Sequence, residues 1–282
     1  MSGASGTEES NAGAGRSDAE ISREVAQEAG RLLLDLRASF GPVDDKDAAN
    51  ALRKQADRAS HLLIMDLLSA ARPDDAILSE EGKDNDSRLS AERVWIVDPL
   101  DGTYEYGQGR ADFAVHIALW EPATRILSAC TVDLPAQGLT RSVLDADAAV
   151  AALPTDRPIR IVASRSRPPA TLPKTVEILG RLLADAGISD QGVEIIDVGS
   201  VGAKVNELIA GRADAYVHDT GFFEWDVAAP YGVAMHYGLV PSHVDGSAVV
   251  FNQMPPYVTD LMVAHPGLVG PLRTALQEAA AL

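Results

Sequence analysis

Apolar residues recur at helical intervals twice near the start of the chain. Ile21, Val25, Ala29, Leu32 and Leu36 follow that spacing, and Ser17 stands just ahead of them as a cap. Leu52, Ala56, Ala59, Leu63 and Leu67 form a second stripe, predicting a helix over 47–71 that the Arg-Pro-Asp-Asp at 72–75 stops. The pattern then shortens to strand-like runs. "AILS" at 76–79 and "RVWIVD" at 93–98 predict strands, and "FAVHIALW", "RILSACTVDL" and "LTRSVLD" predict an antiparallel meander over 113–144. Further on, strand and helix alternate. "IRIVAS", "VEIIDV", "ADAYVH" and "LMVAH" read as strands, with helices around 172–186, 201–210, from Glu224, and at the C-terminus.

The change of pattern falls at the Ala- and Asp-rich stretch 145–158, dividing an N-terminal lobe, 17–150, from a C-terminal lobe, 151–282. Residues 1–16, rich in Gly, Ser, Ala and Glu, predict a disordered tail and lack the basic-then-apolar order of a secretory signal. No apolar run reaches the ~18 residues of a membrane span. Cys130 is the sole cysteine among 282 residues, which excludes an internal disulfide and fits a cytoplasmic chain. A net charge of −17 argues against nucleic acid or an anionic membrane as partner. A small anionic substrate stays compatible if cations neutralise the acids around it.

The stretch "WIVDPLDGT" at 95–103 drives an apolar strand into two acids, Asp98 and Asp101. Strand side chains alternate faces, so residues three apart should point oppositely. Pro99 cannot donate to a ladder and Gly102 tolerates unusual backbone angles, so the strand is predicted to end at Asp98, with a turn bringing Asp101 back beside it. Two adjoining carboxylates repel unless a proton or cation lies between them, and a hard divalent cation bound by oxygens is one solution. A plain acidic turn is the other. Glu80-Glu81 at a strand end, Asp226 at a helix start and Asp57 within a helix are further acids, each readable as solvated surface or as a helix-terminal charge. His116, inside "FAVHIALW", reads as a core histidine, and without HExxH or a cysteine pair zinc is not indicated. "VGSVGAK" offers a strand end, two glycines, Ser200 opening a helix and Lys204 in its first turn, ingredients of an anion site; Arg165 and Arg167 follow another strand end.

In order, Asp57, Glu80-Glu81, Asp98-Pro99-Leu100-Asp101-Gly102-Thr103 and Trp225-Asp226 resemble the inositol monophosphatase superfamily of magnesium-dependent, lithium-sensitive phosphatases. Gly238-Leu239 stands where that family carries a Gly-Gly pair. Within it, "LSEE", "SRSRPPA", "VGSVGAK" and "EWDVAAP" are similar to CysQ-type 3′-phosphoadenosine 5′-phosphate phosphatases. Glu105 fits that type, whereas Tyr104 replaces a basic residue and Tyr106 a phenylalanine. The resemblance implies an α+β, five-layered αβαβα sandwich with its active site between the lobes and two or three Mg2+ ions in it. Glu80, Asp98 and the Leu100 carbonyl would hold the ion beside the attacking water; Asp98, Asp101 and Asp226 would hold another near the leaving oxygen. Asp57 would orient Thr103, which with Glu80 aligns the water, while Gly102 and Thr103 N–H groups grip the phosphate. Ser200, Lys204, Arg165, Arg167 and Asp219 are candidates for the rest of a nucleotide substrate. The resemblance also implies a possible homodimer. The alternatives are an inositol 1-phosphate or fructose 1,6-bisphosphate phosphatase of the same superfamily, or a non-catalytic metal-binding regulatory protein. A haloacid-dehalogenase-type phosphatase would space its two acids two apart, not three.

Overall fold

The computed structural model describes residues 15–165 and 167–282. Of the tail expected at 1–16, all but Gly15 and Arg16 lies outside the described residues, and the Arg16 carbonyl accepts from Arg72 Nη2 at 2.8 Å. Two helices follow, α1 (Asp18–Phe40) and α2 (Lys46–Ala71). Ser17 caps α1 reciprocally: its Oγ accepts from Glu20 N–H at 3.3 Å, and the Glu20 carboxylate accepts the Ser17 N–H at 2.7 Å. The buried stripe of α1 runs through Leu33 rather than Leu32. That of α2 runs Leu52, Ala56, Ser60, Ile64, Leu68, one residue beyond the Ala59, Leu63 and Leu67 that apolar counting selects. Ser60 is the reason. Its buried hydroxyl donates to Pro99 O at 2.8 Å, so a polar residue occupies a core position that hydropathy alone passes over.

Strand β1 (Ala76–Ser79) pairs in parallel with β2 (Val94–Asp101); after the short helix α3 (Thr103–Gly107), β3 (Ala114–Glu121), β4 (Ile126–Leu134) and β5 (Leu139–Ser142) complete a sheet ordered β1-β2-β3-β4-β5. The rest of the chain runs β6 (Ile159–Ser164), α4 (Leu172–Asp185), β7 (Val193–Val198), α5 (Val201–Ile209), β8 (Ala215–His218), β9 (Phe222–Phe223) and α6 (Glu224–His236). It ends with β10 (Val240–Ser242), β11 (Tyr257–Val258), β12 (Leu261–Ala264) and α7 (Val269–Ala280). The second sheet is ordered β10-β12-β8-β6-β7, and β9 with β11 forms a two-stranded ribbon that the sequence pattern did not mark.

Alternation along β2 and β3 assigns the layers. Trp95, Val97, Ile117 and Leu119 face α1 and α2, burying Ile21, Leu33, Leu52 and Ile64. Ile96, Ala118 and Val132 face the other way, onto Val205, Val227 and Val233 of α5 and α6, which pack in turn on Val162, Tyr216 and Val263 of the second sheet. The far side of that sheet is covered by α4 and α7 through Leu179, Leu183 and Leu272. Helix, sheet, helix, sheet, helix is the order expected. Buried on nearly every side, α6 shows no amphipathic stripe. Among the described residues no helix is long and apolar enough to cross a membrane.

Helix α6 meets β4 at Gly232, where an added Cβ would overlap Cys130 Sγ and lie 3.0 Å from its Cβ. Gly232→Ala is therefore expected to lower unfolding free energy by about 1–3 kcal/mol through overpacking. Adding Cys130→Ala should return part of that loss, and denaturant melts of the single and double variants measure it.

Candidate active site

The strand β2 does not end at Asp98. Asp98 pairs with His116 and Asp101 with Ala114, so three steps along β2 match two along β3. This β-bulge supplies the parity that a three-residue spacing lacks, and both acids face the side of the sheet shared by His116 and Ala114. Pro99 sits within the irregularity, where no ladder donor is required. Three contacts fix the bulge. Leu100 N–H donates to Asp98 Oδ1 at 2.9 Å, Thr103 Oγ1 to Leu100 O at 3.0 Å, and Ser60 Oγ to Pro99 O. Gly102 holds φ at 85°, and a Cβ there would stand 3.1 Å from Ser200 Cβ and 3.2 Å from Asp112 O.

Asp226 enters from the first turn of α6, its Oδ2 accepting the Phe223 N–H at 2.8 Å. One carboxylate oxygen each from Asp98, Asp101 and Asp226 lies within 4.8 Å of the others. Glu80 follows β1, and its N–H donates to Val97 O at 3.3 Å, which brings it beside Asp98. Burial pushes the Asp98 carboxyl well above its ordinary range, and Glu80, Asp101 and Asp226 add repulsion. Asp226 rises to about 8 through burial and the charge of Asp101. Glu80 rises to about 7 as it is withdrawn from water beside Glu81 and Asp101. Asp57 lies near Thr103, and also rises to about 7 through burial and the charges of Glu81 and Glu80.

These are acids that keep protons when no cation is present. Oxygen-only donors, several carboxylates and crowding that a positive charge would relieve fit a hard divalent ion. The protein's own neutralisation is thin. Lys204 is 4% exposed, donates Nζ to Gly199 O, lies over the Tyr216 ring at 5.4 Å, and is pulled down to about 8 by burial. His116 is buried with Nε2 3.2 Å from Asp101 Oδ2, and burial lowers its pKa toward the neutral form. It is a core histidine, as the sequence suggests, but one that touches a site acid.

A cleft of about 290 Å³ opens from this cluster, lined by Glu80, Asp98, Leu100, Asp101, Gly102, Thr103 and Asp226 at one end. Arg165, Arg167, Ser200, Lys204 and Tyr216 line its continuation. Arg165 spends its guanidinium on Glu105 Oε1 at 3.0 Å and Asp112 Oδ2 at 3.2 Å, clasping the loop after β6 to α3. Arg167 forms no ion pair among the described residues. The start of α5, which the sequence offers as an anion site, is largely taken by the chain's own acceptors. Gly199 N–H donates to Asp112 Oδ2 at 2.8 Å, Ser200 N–H to Asp112 O, Gly202 N–H to Asp101 Oδ2 at 3.2 Å, and Ala203 N–H to Ser200 Oγ. Asp219 is exposed and does not line the cleft. Ser60, Asp112 and the cleft-lining Tyr216 and His218 went unmarked in the sequence; only the partner segments reveal them.

The cleft of this five-layer α/β sandwich gathers oxygen donors from a bulged strand and a helix start, a group that could hold a metal ion. The chain belongs to the inositol monophosphatase family, whose profile spans residues 16–277. It is 38% identical over 275 residues to the 3′-phosphoadenosine 5′-phosphate phosphatase of Mycobacterium leprae (strain TN), covering 92% of this chain and 95% of that one. Against the 3′(2′),5′-bisphosphate nucleotidase CysQ of Escherichia coli (strain K12) identity is 29% over 221 residues, 76% of this chain and 86% of the relative. The crystal structure of CysQ from Bacteroides thetaiotaomicron shares the fold at a TM-score of 0.69 and 24% identity, covering 88% of this chain and 97% of that one.

Raised carboxyl pKa values carry a sign for stability. The folded, cation-free protein binds more protons than the unfolded chain between the ordinary carboxylate range and about 8. The penalty is absent below that window and complete above it, so stability falls as pH rises through it. In chelator, the melting temperature should drop from pH 6.5 to 8, Mg2+ should remove most of the drop, and Asp98→Asn should flatten it. Thermal melts across that range test this, and a rise with pH would contradict it.

Proposed function

We propose that this chain hydrolyses 3′-phosphoadenosine 5′-phosphate to AMP and phosphate as a Mg2+-dependent phosphomonoesterase. The observation that carries the reading is the cluster of Asp98, Asp101 and Asp226, which lines a cleft together with Glu80 and Thr103, with Asp57 near Thr103. Likeness to a relative named for this substrate supports the choice of ester. Glu80, Asp98, the Leu100 carbonyl, Asp101 and Asp226 would hold two or three Mg2+ ions, which supply charge neutralisation at the phosphoryl group and acidify water.

The chain's own groups position and move protons. Thr103 Oγ1, between Leu100 O and the Asp57 carboxylate, orients a water for in-line attack, and Glu80 accepts a proton from it. The bond from phosphorus to the 3′ oxygen breaks as the bond to the water oxygen forms; one water proton stays on the released phosphate, and the one taken by Glu80 passes through water to the 3′ oxygen, giving the ribose hydroxyl. Gly102 and Thr103 N–H groups face the transferred phosphoryl group. Arg167 takes the 5′-phosphate, since Arg165 is already balanced by Glu105 and Asp112. Ser200 and Lys204 shape the wall between them.

The test is Mg2+-dependent phosphate release from 3′-phosphoadenosine 5′-phosphate, inositol 1-phosphate and fructose 1,6-bisphosphate. The nucleotide should give the highest kcat/KM. Thr103→Ala should lower kcat by about 100-fold with little change in KM, because aligning water matters only in the transition state. Arg167→Ala should lower kcat/KM for the nucleotide about tenfold or more and leave inositol 1-phosphate nearly unchanged. Preference for inositol 1-phosphate in the wild type would overturn the substrate.

A further inference from the structure

Away from the cleft, three segments meet in a buried polar clamp. Arg88, 2% exposed, donates from Nε and Nη2 to the Asp84 carboxylate at 2.7 and 3.0 Å, from Nη1 to Asn252 Oδ1 at 2.6 Å, and from Nη2 to Gln253 O at 2.9 Å. Asn252 answers with Nδ2 to Arg88 O at 3.0 Å. Glu224, fully buried, accepts Asn252 N–H on Oε2 at 2.6 Å and Gln253 N–H on Oε1 at 2.7 Å, while its own N–H donates to Pro256 O at 3.0 Å. None of these residues lines the cleft.

The clamp joins the chain just after Glu80-Glu81 to the first turn of α6, which carries Asp226. Glu80 hangs from the end of β1 and Asp226 from a helix of the middle layer, and no ladder bond sets one against the other. Buried charge is a poor source of net stability, since desolvation offsets most of the Coulomb gain. Its value here is geometric. The geometry points to Arg88, Asn252 and Glu224 as positioning residues that fix the separation of Glu80 from Asp226 and so set the affinity of the cation site. This inference rests on the reading of those acids as cation ligands.

Asn252 has φ 62°, a left-handed conformation that glycine adopts freely, so Asn252→Gly keeps the backbone while removing both bonds to Arg88. Glu224→Gln keeps shape but turns one acceptor into a donor facing an N–H. Calorimetric Mg2+ titration of the folded, cation-free proteins is read beside melting temperature. Both variants should weaken Mg2+ binding about tenfold or more, the usual effect of losing an outer-shell support. Asp214→Asn, which breaks the buried Arg157 pair outside the cleft, should lower the melting temperature with affinity kept within about twofold. If either clamp variant does not fold, Arg88→Lys, which keeps the charge but loses the fork, takes its place with the same expectation. Wild-type affinity in the clamp variants, with melting temperature reduced, would overturn the inference and leave the site intact. No Mg2+ binding by the wild type would overturn the site itself and the clamp's role with it.

Discussion

Repulsion among Asp98, Asp101 and Asp226 is the constraint around which the site is built. Their oxygens approach within 4.8 Å at a cleft, with Asp98 and Asp101 buried and Asp226 half-buried. Two unit charges at 4 Å repel by about 4 kcal/mol at the effective dielectric of a partly buried site. The chain does not relax this repulsion by turning the acids outward. It holds them in place through the bulge in β2, the Asp98 contact to Leu100 N–H, the Gly202 N–H on Asp101 and the Phe223 N–H on Asp226. What remains is a demand for protons or for a cation.

Layer order serves the same end. The bulge lies on the face of the first sheet that meets the middle helices, so acids of β2 and α6 converge where two structural layers already touch. Close approach of α6 to β4 at Gly232 and the seating of α5 over Asp101 keep that junction tight. The Arg165 clasp onto Glu105 and Asp112 draws the second sheet's loop to α3 and closes the cleft from the other side. In a chain of net charge −17, the cations kept near the site are few, and most are already committed to neighbours.

Much of this was legible in the residues alone. Helix and strand positions follow from periodicity, and the acids of the cluster stand out through the Asp-Pro-Leu-Asp-Gly-Thr stretch. What the sequence misplaced depends on partners far away in the chain. Ser60 breaks an apolar stripe because its acceptor is Pro99. A turn at Asp98 is a local reading; the bulge exists only against β3. The start of α5 looks like an open anion site until Asp112 and Asp101 are seen to fill it. Lys204 reads as an anion contact in the first turn of a helix; its burial, over the Tyr216 ring and bonded to the Gly199 carbonyl, shows only in the folded chain. Asp219, carried over by resemblance, is exposed and outside the cleft, while its neighbour His218 lines it.

Exchange of protons for a cation is the central claim, and it has a direct readout. Calorimetric titration of the metal-free protein with Mg2+ at pH 7, repeated in buffers of different ionisation enthalpy, counts the protons released on binding. Carboxyls poised at about 7 and about 8 should give up protons as the ion enters, and affinity should rise between pH 6 and 8. Binding that releases no proton and keeps one affinity across that range would contradict the account.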